Sequence, residues 1–234
     1  MLSAYTIFPL GDSALTIHFG NKIDDQANEK VLQLFTLLQH ASPLIKDVVP
    51  AYSSLTVYYD AAVLHKSKKP AFETIRDMVV PLLETERTLT QRGRRLTIPV
   101  CYAKKFAMDI EEMATQKNIS VEALIETHTA AKYRVYMIGF LPGFAYMGKV
   151  HEKLITPRRK QPRTVVPAGS VGIAGEQTGI YPLSSPGGWN IIGRTPLKLF
   201  DANRNEPVFF QPGDEVKFYS ITEDEFENYQ GRIA

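Results

Sequence analysis

The chain has 234 residues, 44% of them hydrophobic and 22% charged, with 27 basic against 25 acidic side chains. That length suits one large domain or two small ones with a real core, and a net charge of +2 does not call for nucleic acid as a partner. A single cysteine, Cys101, excludes an internal disulfide and fits a reducing cytoplasm. No run approaches 18 apolar residues and no basic-then-apolar leader opens the sequence, so neither a membrane span nor a signal peptide is expected.

Residues 4–8 and 13–19 read as two strands around the turn PLGD. From Asp24 the period becomes helical, with Val31, Leu34, Phe35 and Leu38 on one face and Asp24 or Asp25 as cap. Residues 48–52 and 54–59 form another extended pair. A second helix is expected from about Pro70 through Phe72, Ile75, Met78 and Val79, with Pro81 kinking or ending it. Residues 1–88 are therefore expected to be a small α+β domain of two strand pairs and two helices.

The polar stretch ETERTLTQRGRR, residues 84–95, lacks apolar periodicity and marks a domain boundary. Beyond it LTIPVCY (96–102) reads as a strand. Asp109 with Glu112 reads as a capping box opening one helix, and Ser120 as the cap of another that ends near His128. Residues 133–140 read as a strand with Tyr133, Val135 and Met137 on one face and Arg134, Tyr136 and Ile138 on the other. PGDEVKFYSI (212–221) feeds a last strand, and Thr222 with Glu225 caps an acidic terminal helix. Many short strands with few helices imply a closed or nearly closed β-barrel over 95–234.

Residues 131–200 hold ten of the 15 glycines, seven of the 15 prolines and the only tryptophan, Trp189. Ten Lys and Arg face two acids there, Glu152 and Glu176, a local charge of +8. Gly and Pro at this density disfavour helix by about 1 and 3 kcal/mol each, whereas interleaved Val, Ile, Tyr and Phe argue against disorder. Short strands joined by tight turns fit, and glycine turns among arginines suit an anionic group.

The run PRRKQPR (157–163) reads either as a solvated loop or as an anion-binding or partner-binding rim stiffened by Pro157 and Pro162. VPAGSVGIAGEQTG reads as a hairpin with turns at Ala168–Gly169 and near Gly175, and can also line a polar pocket through Ser170, Glu176 and Gln177. Phe140, Phe144, Tyr146, Tyr181 and Trp189 read as core aromatics or as a binding wall. The candidate ligand-binding set is Arg158, Arg163, Gly169, Ser170, Glu176, Gln177, Tyr181, Phe140, Phe144, Trp189 and Arg194. Loss of Arg158 or Arg163 is expected to weaken a small carboxylate or phosphate by roughly tenfold and to leave folding unchanged.

His128, at a helix end, is structural or, if it lines a pocket, the best candidate general acid/base, with an ordinary pKa near 6.5. Cys101 lies in an apolar strand and reads as an inert core thiol. There is no P-loop, no HExxH and no GxSxG elbow, and the histidines show no metal spacing with Cys101, so no metal is expected. The chain reads as a component and not a self-sufficient hydrolase.

GFLPGFAYMG, TPRRKQPRTVVPAGSVGIAGEQTGIYPLSSPGGWNIIGRTP and QPGDEVKF resemble the allophanate hydrolase subunit 1 family, which includes the 5-oxoprolinase B subunit and the KipI-type inhibitor of a sporulation histidine kinase. The resemblance runs over nearly the whole chain. It implies a small α+β domain followed by a cyclophilin-like barrel. It implies the B component of an enzyme that opens the lactam of 5-oxoproline to glutamate while ATP is hydrolysed. In that enzyme it works with a homologous larger C component and a separate A component. A carboxylate substrate suits the arginine excess. The family also implies two other roles. One is an inhibitor docking on a histidine kinase. The other is allophanate hydrolase subunit 1 or a urea-carboxylase-like carboxyltransferase part, ranked lower because the chain lacks an amidase signature and a biotin-attachment segment. Prolyl isomerase activity would rest on fold analogy alone.

Overall fold

The computed structural model describes residues 5–66, 68–84 and 93–230. The chain divides into two compact units, residues 1–92 and 93–234. The linker expected over 84–95 falls mostly on residues 85–92, which lie outside the described residues.

The first unit runs β1 (Thr6–Pro9), β2 (Ala14–His18), α1 (Asp25–Leu38), β3 (Ile45–Pro50), β4 (Ser54–Tyr59), α2 (Ala61–Leu64) and α3 (Ala71–Leu83). Its strands form one antiparallel sheet in the order β1–β2–β4–β3. Strand alternation sends Leu15, Ile17, Leu55 and Val57 into a core with Val31, Leu38, Ile75 and Val79 of the two long helices. Thr16 and Thr56, one position out of phase, pair through their hydroxyls at 3.0 Å. Asp24 caps α1 by accepting the Ala27 N–H at 2.8 Å. Pro81 does not end α3, which continues two residues to Leu83. A proline this late in a helix forfeits one backbone bond near an end whose carbonyls are already half orphaned.

The second unit contains β5 (Arg95–Cys101), α4 (Ile110–Lys117), α5 (Val121–Ala130), β6 (Lys132–Ile138), β7 (Ala145–Gly148), β8 (Arg163–Val166), β9 (Ser170–Ala174), β10 (Gln177–Ile180), β11 (Ser185–Gly187), β12 (Asn190–Arg194), β13 (Glu215–Ile221) and α6 (Glu223–Glu227). Seven strands close a barrel in the order β10–β7–β6–β13–β5–β12–β9, with β9 pairing back to β10. The first and last of these strands in sequence, β5 and β13, run parallel in register from Arg95↔Glu215 to Cys101↔Ile221. Ser120 caps α5 through the Ala123 N–H at 3.1 Å, and the Thr222–Glu225 capping box opens α6.

The alternation expected of β6 breaks at a bulge between Val135 and Met137. Past it Ile138, not Met137, packs against the barrel interior, because one extra residue reverses which side chains point inward.

All five residues of β9 are buried. Val171 and Ile173 fill the barrel interior, whereas Ala174 joins an outer cluster with Phe144, Val166, Tyr181, Trp189 and Ile191. The outer layer, carried partly by the two-stranded β8–β11 ladder, therefore covers the barrel wall from outside. Gly172 and Gly179 are directly paired across β9 and β10. A Cβ on Gly179 would lie 2.9 Å from the Ala145 carbonyl and 3.1 Å from Trp189 Cζ3, so the indole lies on bare backbone.

Candidate functional site

The basic run is organised by a carboxylate whose local pattern points instead to a helix cap. Asp109 precedes α4, but it makes no side-chain cap bond and the expected box with Glu112 does not form. Its side chain, 2% exposed, accepts Arg159 Nη1 at 2.6 Å and Arg163 Nη2 at 2.5 Å on Oδ1. Oδ2 accepts Arg163 Nη1 at 2.9 Å and the Ile191 N–H at 2.6 Å. Enclosure decides between the two uses. A buried carboxylate needs charge-assisted partners for every lone pair, and two guanidiniums supply far more than one helix-end N–H. Glu112 instead stands 3.4 Å from Arg159 Nη1.

Arg163 is accordingly a structural partner with both terminal nitrogens committed, and the expectation that its loss leaves folding unchanged is corrected. Arg158, next to Arg159 in sequence, takes no part in this cluster. It stays exposed, with its guanidinium over the Trp189 ring at 5.9 Å.

Trp189 belongs to an aromatic cluster centred on Phe144, which makes edge contacts with Tyr146 at 4.7 Å, Tyr181 at 5.2 Å and Trp189 at 5.3 Å. Phe144, Tyr181 and Trp189 are buried, so these three form a core beneath the surface. Phe140 packs edge-on to Phe144 at 5.8 Å, yet is 65% exposed and holds φ at +66°. A bulky residue in the left-handed region is uncommon and presents its ring outward here. Burial pushes the Tyr181 phenol up, opposed by the Trp189 backbone N–H that donates to it and by the charges of Arg158 and Arg163.

Ser170 opens β9 and lies directly opposite Arg194 of β12. It is 1% exposed and its Oγ has no hydrogen-bond partner. Arg194 donates Nε to the Ala168 carbonyl at 2.7 Å. Between them Gly169 turns the chain at φ +82°, where a Cβ would meet the Thr195 carbonyl at 2.4 Å. Glu176 and Gln177 occupy the other end of the hairpin, the first exposed and the second half-buried. Ser170 to Ala174 alone measures roughly 13 Å along the strand. The Tyr181 backbone bonds Gly169 and Ser170, so the structure brings Gly169, Ser170, the Tyr181 backbone and Arg194 together, and leaves Glu176 and Gln177 apart from them.

His128 is delivered by α5 into the barrel interior. It is fully buried, stacked on Phe218 at 4.6 Å, and both ring nitrogens are engaged. Thr178 Oγ1 donates to the Gly172 carbonyl at 3.1 Å, so it accepts from His128 Nε2 at 3.1 Å. Nδ1 then accepts from the Tyr102 hydroxyl at 2.8 Å. Burial lowers the imidazole pKa to about 3 and raises the Tyr102 phenol well above its ordinary value. A neutral, fully bonded imidazole with no solvent face is a structural group, which corrects its candidacy as general acid/base.

Among the described residues no cluster of three or more His, Cys, Asp or Glu could hold a metal ion, and no helix is long and apolar enough to cross a membrane. Cys101 is buried, and burial raises its thiol pKa. An open depression in the first unit is rimmed by Asp12, His65, Lys68 and Lys69, but Lys69 is tied to Asp77. The residue missed from sequence is Asp109. Two arginines four apart in a stretch with almost no acids call for a distant carboxylate, but nothing local says which one.

Residues 5–210 match the family described as carboxyltransferase domain, subdomain C and D. The chain is 41% identical to the 5-oxoprolinase B subunit of Bacillus subtilis (strain 168), over 98% of each chain. It is 40% identical to the 5-oxoprolinase B subunit of Haemophilus influenzae, covering 91% of this chain and 96% of that one. A solved structure, the conserved uncharacterized protein PH0987 from Pyrococcus horikoshii, is 44% identical with a TM-score of 0.56, covering 94% of this chain and all of the other.

Proposed function

The chain belongs to the carboxyltransferase-domain family of subdomains C and D, and on that premise we propose that it is the B component of an ATP-dependent 5-oxoprolinase. The observation that carries this reading is identity of about two residues in five to named B subunits over nearly their whole length. In this role the chain works with a larger homologous C component and an A component, and the complex converts 5-oxoproline and ATP to glutamate, ADP and phosphate. Its barrel is the cyclophilin-like domain of the family.

The chain's own contribution is binding and orientation. Its one interior imidazole is spent on Tyr102 and Thr178. The glycine run 169–175 lies in a hairpin where a Cβ on Gly172 would lie 3.1 Å from Trp189 Cβ, which is unlike a phosphate loop opening a helix. ATP is therefore assigned to the partner subunits, and the small carboxylate substrate to the arginine-bearing outer face of the barrel.

The test is reconstitution: this chain with the A and C components, measuring 5-oxoproline-dependent glutamate and ADP. Turnover should need all three proteins. Turnover by the A and C components without this chain, or by this chain unaided, would defeat the proposal. A carboxyl-transfer role is the second reading, favoured by the family description itself; it predicts carboxyl transfer in a complex that leaves 5-oxoproline untouched.

A further inference from the structure

We propose that Arg194 and Ser170 form a carboxylate-binding subsite on the outer face of the barrel. In it the two terminal nitrogens of Arg194 grip both oxygens of a small carboxylate and the Ser170 hydroxyl donates to one of them. The inference rests on the reading that the substrate is such a carboxylate, and it goes further by assigning the residues that hold it.

Three observations carry the assignment. The first is placement. Ser170 and Arg194 are directly opposed across β9 and β12, and directly opposed residues send their side chains to the same face, with Cβ atoms about 5 Å apart. Val171 and Ile173 fill the interior, so that shared face is the outer one.

The second is the hydroxyl. Buried serines normally bond a nearby carbonyl, and one that does not calls for a partner missing from the protein itself. Ser170 Oγ is fully enclosed and unpartnered.

The third is how Arg194 is held. Its Nε is spent on the Ala168 carbonyl, which fixes the guanidinium plane while Nη1 and Nη2 make no hydrogen bond or ion pair among the described residues. That end-on edge presents two coplanar donors, the arrangement that matches a planar carboxylate. The turn that positions Ala168 is itself fixed by Gly169, whose close approach to Thr195 admits no side chain.

The neighbouring cations are differently disposed. Arg163 is consumed by Asp109 and Arg158 lies over Trp189. One cation with one hydroxyl suits a monoanionic carboxylate better than a phosphate dianion. Arg194 is half-buried while Ser170 is fully enclosed, so the ligand enters past the arginine.

The test uses the reconstituted complex, with KM and kcat for 5-oxoproline measured for Arg194→Gln, Arg194→Lys and Ser170→Ala, and the thermal midpoint of each chain alone. Arg194→Gln should raise KM by about tenfold or more, and Ser170→Ala by about three- to tenfold, with smaller changes in kcat. Arg194→Lys should recover little, because a point charge cannot replace a fork. Ser170→Ala should leave the midpoint unchanged or higher, since it removes an unsatisfied hydroxyl. Ser170→Ala with wild-type KM would overturn the subsite and leave the hydroxyl a packing defect; so would Arg194→Lys with wild-type KM. If Arg194 variants fail to fold, Ser170→Ala decides alone. If the wild-type complex does not turn over 5-oxoproline, it is the reading of the activity that fails. The subsite is then judged by calorimetry with 5-oxoproline and glutamate on the chain, where equal affinity for wild type and Ser170→Ala overturns it.

Discussion

The barrel buries two titratable side chains, His128 and Asp109, in opposite ways. His128 sits inside the wall among Tyr102, Tyr133 and Phe218, where no charge is available, and burial holds it neutral. Asp109 sits beside the edge of β12, where two arginines and the Ile191 N–H meet its oxygens. The lesson is that enclosure alone does not decide the fate of a polar group. Inside, a short chain of neutral hydrogen bonds from Tyr102 through His128 and Thr178 to the Gly172 carbonyl satisfies it. At the strand edge counter-charge does, and it consumes Arg163, which the sequence offers as a ligand contact.

The contrast is broken most forcefully at Asp109. Asp109→Ala strands two guanidiniums and should cost about 3 kcal/mol, the low end for a broken buried pair, because Arg159 and Arg163 keep 31% and 23% of their side chains exposed. Urea unfolding measures it; a loss below about 1 kcal/mol would show that the cluster is merely a surface pairing.

At His128 the lever is pH. Its folded pKa of about 3 lies below the ordinary 6.5, so the unfolded chain binds the extra proton. The stabilisation from its neutral burial is complete above about pH 6.5 and falls as pH drops toward 3. Between pH 7 and 5 the loss should be about 2 kcal/mol, at up to about 1.4 kcal/mol per pH unit. His128→Gln should flatten that part of the curve, and an unchanged slope would assign it to other groups.

Arg158 gives the smallest stability effect. Arg158→Ala should change stability by less than about 1 kcal/mol, since an exposed cation over an indole contributes little. A larger fall in thermal midpoint would mean that Arg158, like Arg163, is a structural partner.

Legibility followed the reach of each interaction. Asp24, Ser120 and Thr222 act as helix caps because a cap bonds residues two or three positions away. Asp109–Glu112 has the same local pattern as Thr222–Glu225, yet its carboxylate turns to Arg159 and Arg163, some 50 positions on. Local chemistry is alike at the two sites, and tertiary enclosure separates them. The excess of positive charge over 131–200 was legible as a count, but how the arginines are spent was not, since that depends on where Asp109 lies relative to β8 in the folded barrel. The β6 bulge likewise reversed an alternation that was correct up to Val135. A closed barrel could be read from many short strands; the parallel pairing of β5 with β13 could not, because nothing in either strand specifies a partner so far away.

That pairing bears on synthesis. β5 begins the barrel in sequence, yet both of its neighbours, β12 and β13, are the last strands to be made. Until residue 221 has left the ribosome, β5 has an open edge along its length and the apolar wall containing Ile98 and Val100 lacks Phe218. The second unit therefore cannot be completed strand by strand as it emerges. It must hold its first strand unpaired on both sides until β12 is made, and on the β13 side for about 120 residues of translation, before closing late, the kind of long-range closure that makes folding slow and exposed edges prone to mispairing.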